Sequence, residues 1–296
     1  MISMKHLRYF EALARHGHFG RAAEDCAISQ PALSLQIKEL EDLLGALLVE
    51  RGGRHVRLTS LGEAFAVRAR EILRSVDELA DLARLSRGPF TGRLRLGVIP
   101  TIAPYLLPAF VKALAERHPG VDLRPREAMT RTLIADLLDG RLDAAILALP
   151  ISEPSLVEHP LFSEEFLLVR PIAAADDPVP TAGALSEMRL MLLEEGHCFR
   201  DQAIAYCGTP SIRSGGLIEG SSLATLVQLV AVGIGVTLVP EMAVPIETRS
   251  APVSVVRLGE PGPTRTIGMI WRRTTPFADQ FVAIADLARS VGERTY

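Results

Sequence analysis

The chain has 296 residues, a formal net charge of −3 at neutral pH and 48 % hydrophobic residues. That is a soluble globular balance with room for two or three domains. A negative total excludes a generally basic protein, so any contact with nucleic acid has to use a local patch. The cysteines, Cys26, Cys198 and Cys207, are odd in number and do not suggest a secreted disulfide framework. Residues Met1 to His6 lack the apolar core of a signal peptide. The apolar stretch Leu223–Pro240 is as long as a membrane span, but Thr225, Gln228, Gly233 and Gly235 interrupt it. It reads as helix, glycine turn and strand. The expectation is a cytoplasmic protein with no membrane partner.

The first sixty residues read as a small helical domain. His6 to Arg15 places Leu7, Phe10, Leu13 and Ala14 at helical spacing, and Gly17 ends that helix. A second short helix runs from about Gly20 to Cys26, whose thiol reads as a packed one. Ser29 caps a third, with Pro31 in its first turn, where the missing N–H is not needed. Leu33, Ile37, Leu40, Leu43 and Leu44 form its core side. Two short helices, a tight turn and a third helix with a polar leading end make a helix-turn-helix. Gln30, Pro31, Ser34, Gln36 and Lys38 are the candidates for base edges and phosphates. Between Leu47 and Thr59 two short extended runs flank Gly52-Gly53, with Arg51, Arg54, His55 and Arg57, which reads as a basic wing. The run Ser29-Gln30-Pro31-Ala32-Leu33-Ser34-x-Gln36-Ile37-x-x-Leu40-Glu41, with Leu48-x-Glu50-Arg51 and Leu58-Thr59-x-x-Gly62, resembles the winged helix of LysR-type transcriptional regulators. The resemblance implies a DNA-binding domain over residues 1–60, acting on double-stranded promoter DNA. Leu35 stands where many members carry a polar residue, which weakens the expectation of base reading there.

Residues 61–88 carry a regular seam. Leu58, Gly62, Phe65, Ala69, Ile72, Val76, Leu79 and Ala83 recur at alternating steps of four and three, with charges outside. That is a narrow, long heptad seam, which favours pairing with another subunit over a helix packed on its own domain. Ser86-Arg87-Gly88-Pro89 and Thr91-Gly92 mark a hinge.

Strand and helix patterns then alternate. Strands are expected over 93–99, 121–127, 143–147, 166–169, 188–193, 236–239, 253–258 and 266–272, and helices over 104–118, 130–139, 221–232 and 276–291. This is α/β architecture with mostly parallel sheets. Two such lobes resemble the LysR-type effector domain, a relative of periplasmic binding proteins, over 92–296. The resemblance implies one lobe of about 92–162 plus 268–296 and a second of about 163–267. The fold class is then α/β with an all-α N-terminal part: winged helix-turn-helix, long linker helix, two-lobed effector domain. Ligands in such folds sit between the lobes, near strand C-termini.

The stretch from Gly196 to Cys207, GHCFRDQAIAYC, holds two of the three cysteines. A strand leads in, and the residues after Cys198 read as a short helix. A thiol titrates near about 8.5, and only the thiolate attacks peroxides or disulfides. Helix N-terminal N–H groups and nearby cations lower that to roughly 3.5–7.5, and His197 and Arg200 are the local candidates. On an intact helix the two cysteines stand about 13 Å apart on opposite faces. A disulfide needs Cα atoms within about 7 Å, so bonding would require the helix to unwind. Two buried cysteines acting as small hydrophobes are the bland alternative.

Gly196-His197-Cys198, then Arg200-Asp201-Gln202, then Cys207 resembles the sensing loop of the peroxide-responsive LysR-type regulators. Val98-Ile99-Pro100-Thr101, Glu127-Ala128-Met129-Thr130 and Arg265-Thr266-Ile267-Gly268 resemble those members' pocket segments. The resemblance implies that Cys198 is oxidised by hydrogen peroxide and then pairs with Cys207. Thr101, Thr130 and His197 would bind the peroxide, Arg265 would stabilise charge, and Asp201 could relay a proton. On position alone the two threonines are equally good helix caps. A pocket histidine of those members aligns with Leu217, which puts that contact in doubt. The implied partners are promoter DNA, a homodimer or homotetramer, hydrogen peroxide, glutaredoxin or thioredoxin reductants, and RNA polymerase. No cofactor or metal is expected: His16-x-His18 stands alone, and Cys198, Cys207 and His197 lack a fourth zinc ligand. The rivals are a regulator of a small metabolite with inert cysteines, a thiol peroxidase, and a structural DNA-bending protein. The protein is not expected to be an enzyme.

Overall fold

A computed structural model describes residues 1–50, 56–85, 92–207, 218–259 and 262–294. It divides into two units, Met1–Ala83 and Arg84–Tyr296.

The first unit holds α1 (Met4–His16), α2 (Phe19–Asp25), α3 (Gln30–Leu44), β1 (Val49–Glu50), β2 (Arg57–Leu58) and α4 (Ser60–Leu85). Gly17 and Gly45 end α1 and α3 in the left-handed region, at φ 57° and 65°. The Ser29 hydroxyl accepts the Ala32 N–H at 3.3 Å and caps α3. Phe10, Leu13, Ala22, Leu33, Ile37 and Leu40 close the core. Leu43, expected on that core side, is 46 % exposed. At 100° per residue it lies about 80° from Leu33, off the buried stripe.

The motif Leu58-Thr59-x-x-Gly62 has a structural cause. The Thr59 hydroxyl donates to Leu47 O at 2.9 Å and accepts the Gly62 N–H at 3.0 Å, tying the start of α4 to the approach of β1. A Cβ on Gly62 would stand 2.1 Å from Leu48 O, so only glycine lets α4 lie against that strand. Glu41 of α3 is buried, and its Oε1 accepts the N–H groups of Leu48 at 2.8 Å and Val49 at 3.1 Å. β1 and β2 pair antiparallel, Val49 with Leu58. The wing residues Arg51, Arg54 and His55, and the hinge at 86–91, lie outside the described residues. Along the α4 seam Gly62 and Ala69 are buried, whereas Ile72 is 48 % and Leu79 64 % exposed.

The second unit is a sheet flanked by helices. Its strands are β3 (Gly92–Val98), β4 (Val121–Glu127), β5 (Ala144–Leu149), β6 (Leu156–Pro171), β7 (Leu190–Leu193), β8 (Glu219–Gly220), β9 (Val236–Pro240), β10 (Val253–Arg257) and β11 (Thr264–Arg272). The order is β4-β3-β5-β11-β6-β9-β7-β8, with β10 on β6. The helices are α5 (Ala103–Arg117), α6 (Thr130–Leu138), α7 (Ala182–Glu187), α8 (Cys198–Cys207), α9 (Leu223–Ala231), α10 (Val244–Glu247) and α11 (Ala278–Gly292).

The sheet corrects the expectation of mostly parallel pairing. β3 runs parallel to β4 and β5, and β7 parallel to β8 and β9. Every pair in the middle is antiparallel: β5 with β11, β11 with β6, and β6 with β9 and β10. The reason is β6, read as four residues and observed as sixteen. Its first two thirds carry Glu158, His159, Pro160, Ser163, Glu164 and Glu165, which hide any apolar alternation. β6 and β11 run past each other over Thr264–Arg272, and together they join the two ends of the sheet. Among the described residues no helix is long and apolar enough to cross a membrane, and Leu223–Pro240 is α9, a turn with Gly233 at φ 79°, and β9.

Glu41→Ala removes the acceptor of two buried N–H groups. We expect a loss on the order of 2–4 kcal/mol in the first unit. Faster amide exchange at Leu48 and Val49, with an earlier melting transition, checks it; unchanged exchange contradicts it.

Candidate functional site

The buried strand β7 delivers the chain to a turn in which Gly196 takes φ 101°, a conformation that favours glycine. A Cβ there would lie 4.0 Å from Met129, so the turn sits beside the N-terminus of α6. α8 then starts at Cys198 and ends at Cys207, which places both cysteines on one helix, at its first and last positions. Neither is in a disulfide; Cys198 is half-buried and Cys207 buried. Phe199, Ala203 and Cys207 recur every four residues and form the inward face. Burial raises the Cys207 thiol above its ordinary pKa.

The cations differ from expectation. The Arg200 guanidinium donates to Glu219 at 2.6 Å and to Leu193 O at 2.9 Å, so its charge is already paired. His197 is buried, and desolvation pushes its pKa down, with Glu194 opposing weakly, so the ring is neutral at pH 7. Neither serves as the cation for Cys198. Arg265 of β11 reaches α8, with its guanidinium carbon 5.5 Å from the centroid of the Phe199 ring. Phe199 in turn packs against Phe166 with the rings tilted by 55°, 4.6 Å between centroids.

Thr101 and Thr130 are not helix caps. α5 is capped at Ile102 and α6 at Met129, neither through a side chain. The Thr101 hydroxyl, 2 % exposed, accepts from Arg265 Nη1 at 2.8 Å. Thr130 Oγ1 is buried with no hydrogen-bond partner among the described residues, and so are His197 Nε2 and Gln202 Oε1. Buried polar atoms are normally paired, so these three are exceptions, all on the segments that lead into or form α6 and α8. Asp201 is exposed on the first turn of α8, and the structure does not bring it into this buried group.

Two residues escaped the sequence reading. Glu164 of β6 is buried and binds Arg265 through Nε at 2.8 Å and Nη2 at 2.7 Å. Phe199 carries the Arg265 contact. A glutamate in a polar strand and a phenylalanine after a cysteine carry no local signal of either role. Leu217 lies outside the described residues.

On α3, Gln30, Pro31, Ser34 and Lys38 are exposed, and Leu35 is 65 % exposed beside them. Gln36 is half-buried and donates to Glu39 at 2.8 Å. Cys26 closes α2, half-buried, its thiol raised by burial first and then by Asp25. Among the described residues no group of three or more His, Cys, Asp or Glu could hold a metal ion. One cavity of about 590 Å³ lies elsewhere, between Leu168, Arg170, Pro178, Met188 and Ile234. Its buried cation, Arg170, donates to the carbonyls of Ala175 and Asp177, and Arg189 and Asp177 also line it.

Residues 4–63 match the bacterial regulatory helix-turn-helix protein model of the lysR family, and residues 87–291 match the LysR substrate binding domain. The chain belongs to the LysR family of transcriptional regulators. It is 43 % identical to a probable hydrogen peroxide-inducible genes activator of Streptomyces viridosporus, over 97 % of this chain and 93 % of that one. It is 39 % identical to the DNA-binding transcriptional dual regulator OxyR of Escherichia coli K12, over 98 % and 95 %. Among solved structures, a full-length OxyR variant from Pseudomonas aeruginosa matches with TM-score 0.76 and 37 % identity, over 98 % and 96 %. A cysteine-to-serine mutant of Corynebacterium glutamicum OxyR with hydrogen peroxide bound matches with TM-score 0.66 and 34 % identity, over 99 % and 93 %.

Two outcomes follow from the site. Iodoacetamide at about pH 8 should label half-buried Cys198 at least roughly tenfold faster than Cys207, whose thiol is buried and raised; peptide mapping over time reads this, and equal rates would refute it. The lowered pKa of His197 sets a pH dependence. As pH falls below the unfolded value of 6.5, the unfolded chain takes up the proton first, and stability declines until the pH passes the lower folded value. Between about pH 7.5 and about pH 5, wild type should therefore lose more stability than His197→Gln. Equal losses in urea unfolding would contradict this.

Proposed function

We propose that the protein is a DNA-binding transcriptional regulator that senses hydrogen peroxide through Cys198. The observation that carries this is Cys198 at the start of α8, half-open to solvent, with the uncommitted buried atoms Thr130 Oγ1, His197 Nε2 and Gln202 Oε1 on the same segments. Such a set of donors and acceptors suits a molecule that is itself both. The likeness to peroxide-responsive regulators over nearly the whole chain supports the reading.

The Cys198 thiolate attacks one peroxide oxygen. The S–O bond forms, the O–O bond breaks, and the second oxygen leaves as hydroxide, which takes a proton to become water. Cys207 then attacks the sulfenic sulfur, forming the disulfide and releasing the second water. Thr101, Thr130 and neutral His197 bind the peroxide, and Arg265 stabilises the charge that moves to the leaving oxygen. Asp201, exposed, at most passes protons to solvent. The disulfide requires α8 to unwind, which changes the second lobe and so the packing of subunits.

Residues 1–60 bind promoter DNA through α3, with Gln30, Pro31, Ser34, Gln36 and Lys38 facing the groove and Arg51 and Arg54 on the backbone. Residues 61–88 pair two subunits through Ile72 and Leu79, exposed in the single chain. The effector domain, 92–296, divides at about 163 and 268. The assembly is a cytoplasmic homodimer or homotetramer that signals to RNA polymerase, and glutaredoxin or thioredoxin reduces it.

One equivalent of hydrogen peroxide should remove about two mass units, mapped to a Cys198–Cys207 bond under non-reducing conditions and absent in Cys198→Ser. Footprints of the two forms on promoter DNA should differ. A Cys198 that stays reduced, or overoxidises without bonding Cys207, sinks the reading.

A further inference from the structure

A guanidinium has no acceptor, so each bond Arg265 makes fixes its partner's role. Thr101 Oγ1 accepts from Nη1 at 2.8 Å, which leaves the threonine's own proton to donate. Nε and Nη2 both reach Oε1 of Glu164, at 2.8 and 2.7 Å, and Nη2 also reaches Thr101 O at 3.0 Å. Of the five N–H groups, one on Nη1 has no partner among the described residues. Glu164 is itself held, because its Oε2 accepts the Met242 N–H at 3.1 Å. Both side chains of the pair are 0 % exposed, where such contacts are strongest. The contacts run from the turn after β9, through β6 and β11, to the end of β3, and Arg265 lies over the ring of Phe199, next to Cys198.

We propose that Glu164 is a positioning residue of the cysteine site. By holding Arg265 against Thr101 it sets two donors, the Thr101 hydroxyl and the spare Arg265 N–H, toward the oxygen that leaves as the O–O bond breaks. Glu164 touches neither sulfur nor peroxide. Without its carboxylate the guanidinium is free to tilt, and the Thr101 hydroxyl is free to turn its proton inward. The inference rests on the peroxide reading above. It separates two reactivities of one sulfur: reduction of a peroxide needs donors for a departing oxygen, whereas alkylation by iodoacetamide expels iodide and needs none of them.

The test is single-turnover kinetics on the full chain, with hydrogen peroxide and separately with iodoacetamide, in wild type, Glu164→Gln, Thr101→Val and the double variant. Glu164→Gln should slow the peroxide reaction about tenfold or more and change Cys198 alkylation by less than about twofold. The double variant should be slower than Thr101→Val alone but less slow than the product of the two single losses, because the Thr101 donor is lost in both and the Arg265 N–H only without Glu164. A folded Glu164→Gln protein with the wild-type peroxide rate overturns the proposal, as does a parallel fall in alkylation or a loss that multiplies with Thr101→Val. Should Glu164→Gln not fold, Glu164→Asp keeps the buried charge, shortens its reach to Arg265 and carries the test. Its peroxide rate must fall at constant alkylation, and an unchanged rate overturns the proposal. If wild-type Cys198 itself ignores peroxide, the functional reading falls and this inference with it. A reactive wild type beside an indifferent Glu164→Gln sinks this inference alone.

Discussion

The site depends on one constraint, the intact helix α8. Nine steps at 1.5 Å hold the two cysteine Cα atoms about 13 Å apart, and nine steps at 100° turn them to opposite sides. Phe199, Ala203 and Cys207 anchor the inner face, and Cys198 is left at the mouth of the helix. The same residues that keep α8 folded therefore keep the thiols apart. A bond between them cannot form as a local adjustment, and it has to release the anchored face.

Arg265 links this helix to the sheet. It lies on β11, pairs with Glu164 on β6 and bonds Thr101 after β3, while it faces Phe199 of α8. β6 and β11 are the two strands that run through the middle of the sheet, so the guanidinium stands on its most constrained part. Removing one partner of a buried pair leaves an uncompensated charge, typically about 3–5 kcal/mol. Any movement of α8 that displaces Phe199 alters one face of that cation and leaves its ion pair in place. The contacts of Arg265 are thus divided between the sheet and α8.

Much of this was legible in the sequence, for local reasons. Ser29, Gly17 and Gly45 mark helix ends through single-residue chemistry, and GHC at a helix start placed Cys198 correctly. Thr101, Thr130 and Arg265 were found through resemblance, since a threonine after a strand reads equally well as a cap. What could not be read depends on partners far along the chain. Arg265 and Glu164 are a hundred and one residues apart, and strand direction at β6 depends on β11, which follows much later. Arg200 and His197 looked like cations for Cys198 by proximity. Glu219 and burial decided otherwise, and neither is visible locally. Gln36 looked free on the helix surface until Glu39 was seen to accept from it.

Magnitudes decide whether such a helix can serve as a reversible switch. Closing the short loop between Cys198 and Cys207 constrains the open chain by about 2–3 kcal/mol. To this is added the lost burial of Phe199, about 1.5–3 kcal/mol for a large apolar side chain, together with the Ala203 and Cys207 contacts. Both are costs that a bond between the cysteines would have to meet. A much larger apolar face on α8 would resist oxidation, and a much smaller one would leave the oxidised form resistant to cellular thiols. The rest of the helix adds Ile204 and Tyr206, half-buried against the core, whereas Arg200 and Asp201 are polar, Ala205 is small, and Gln202 keeps a buried carbonyl oxygen unpartnered. A segment that carries an unsatisfied buried polar atom loses less by leaving its place than one in which every polar atom is paired.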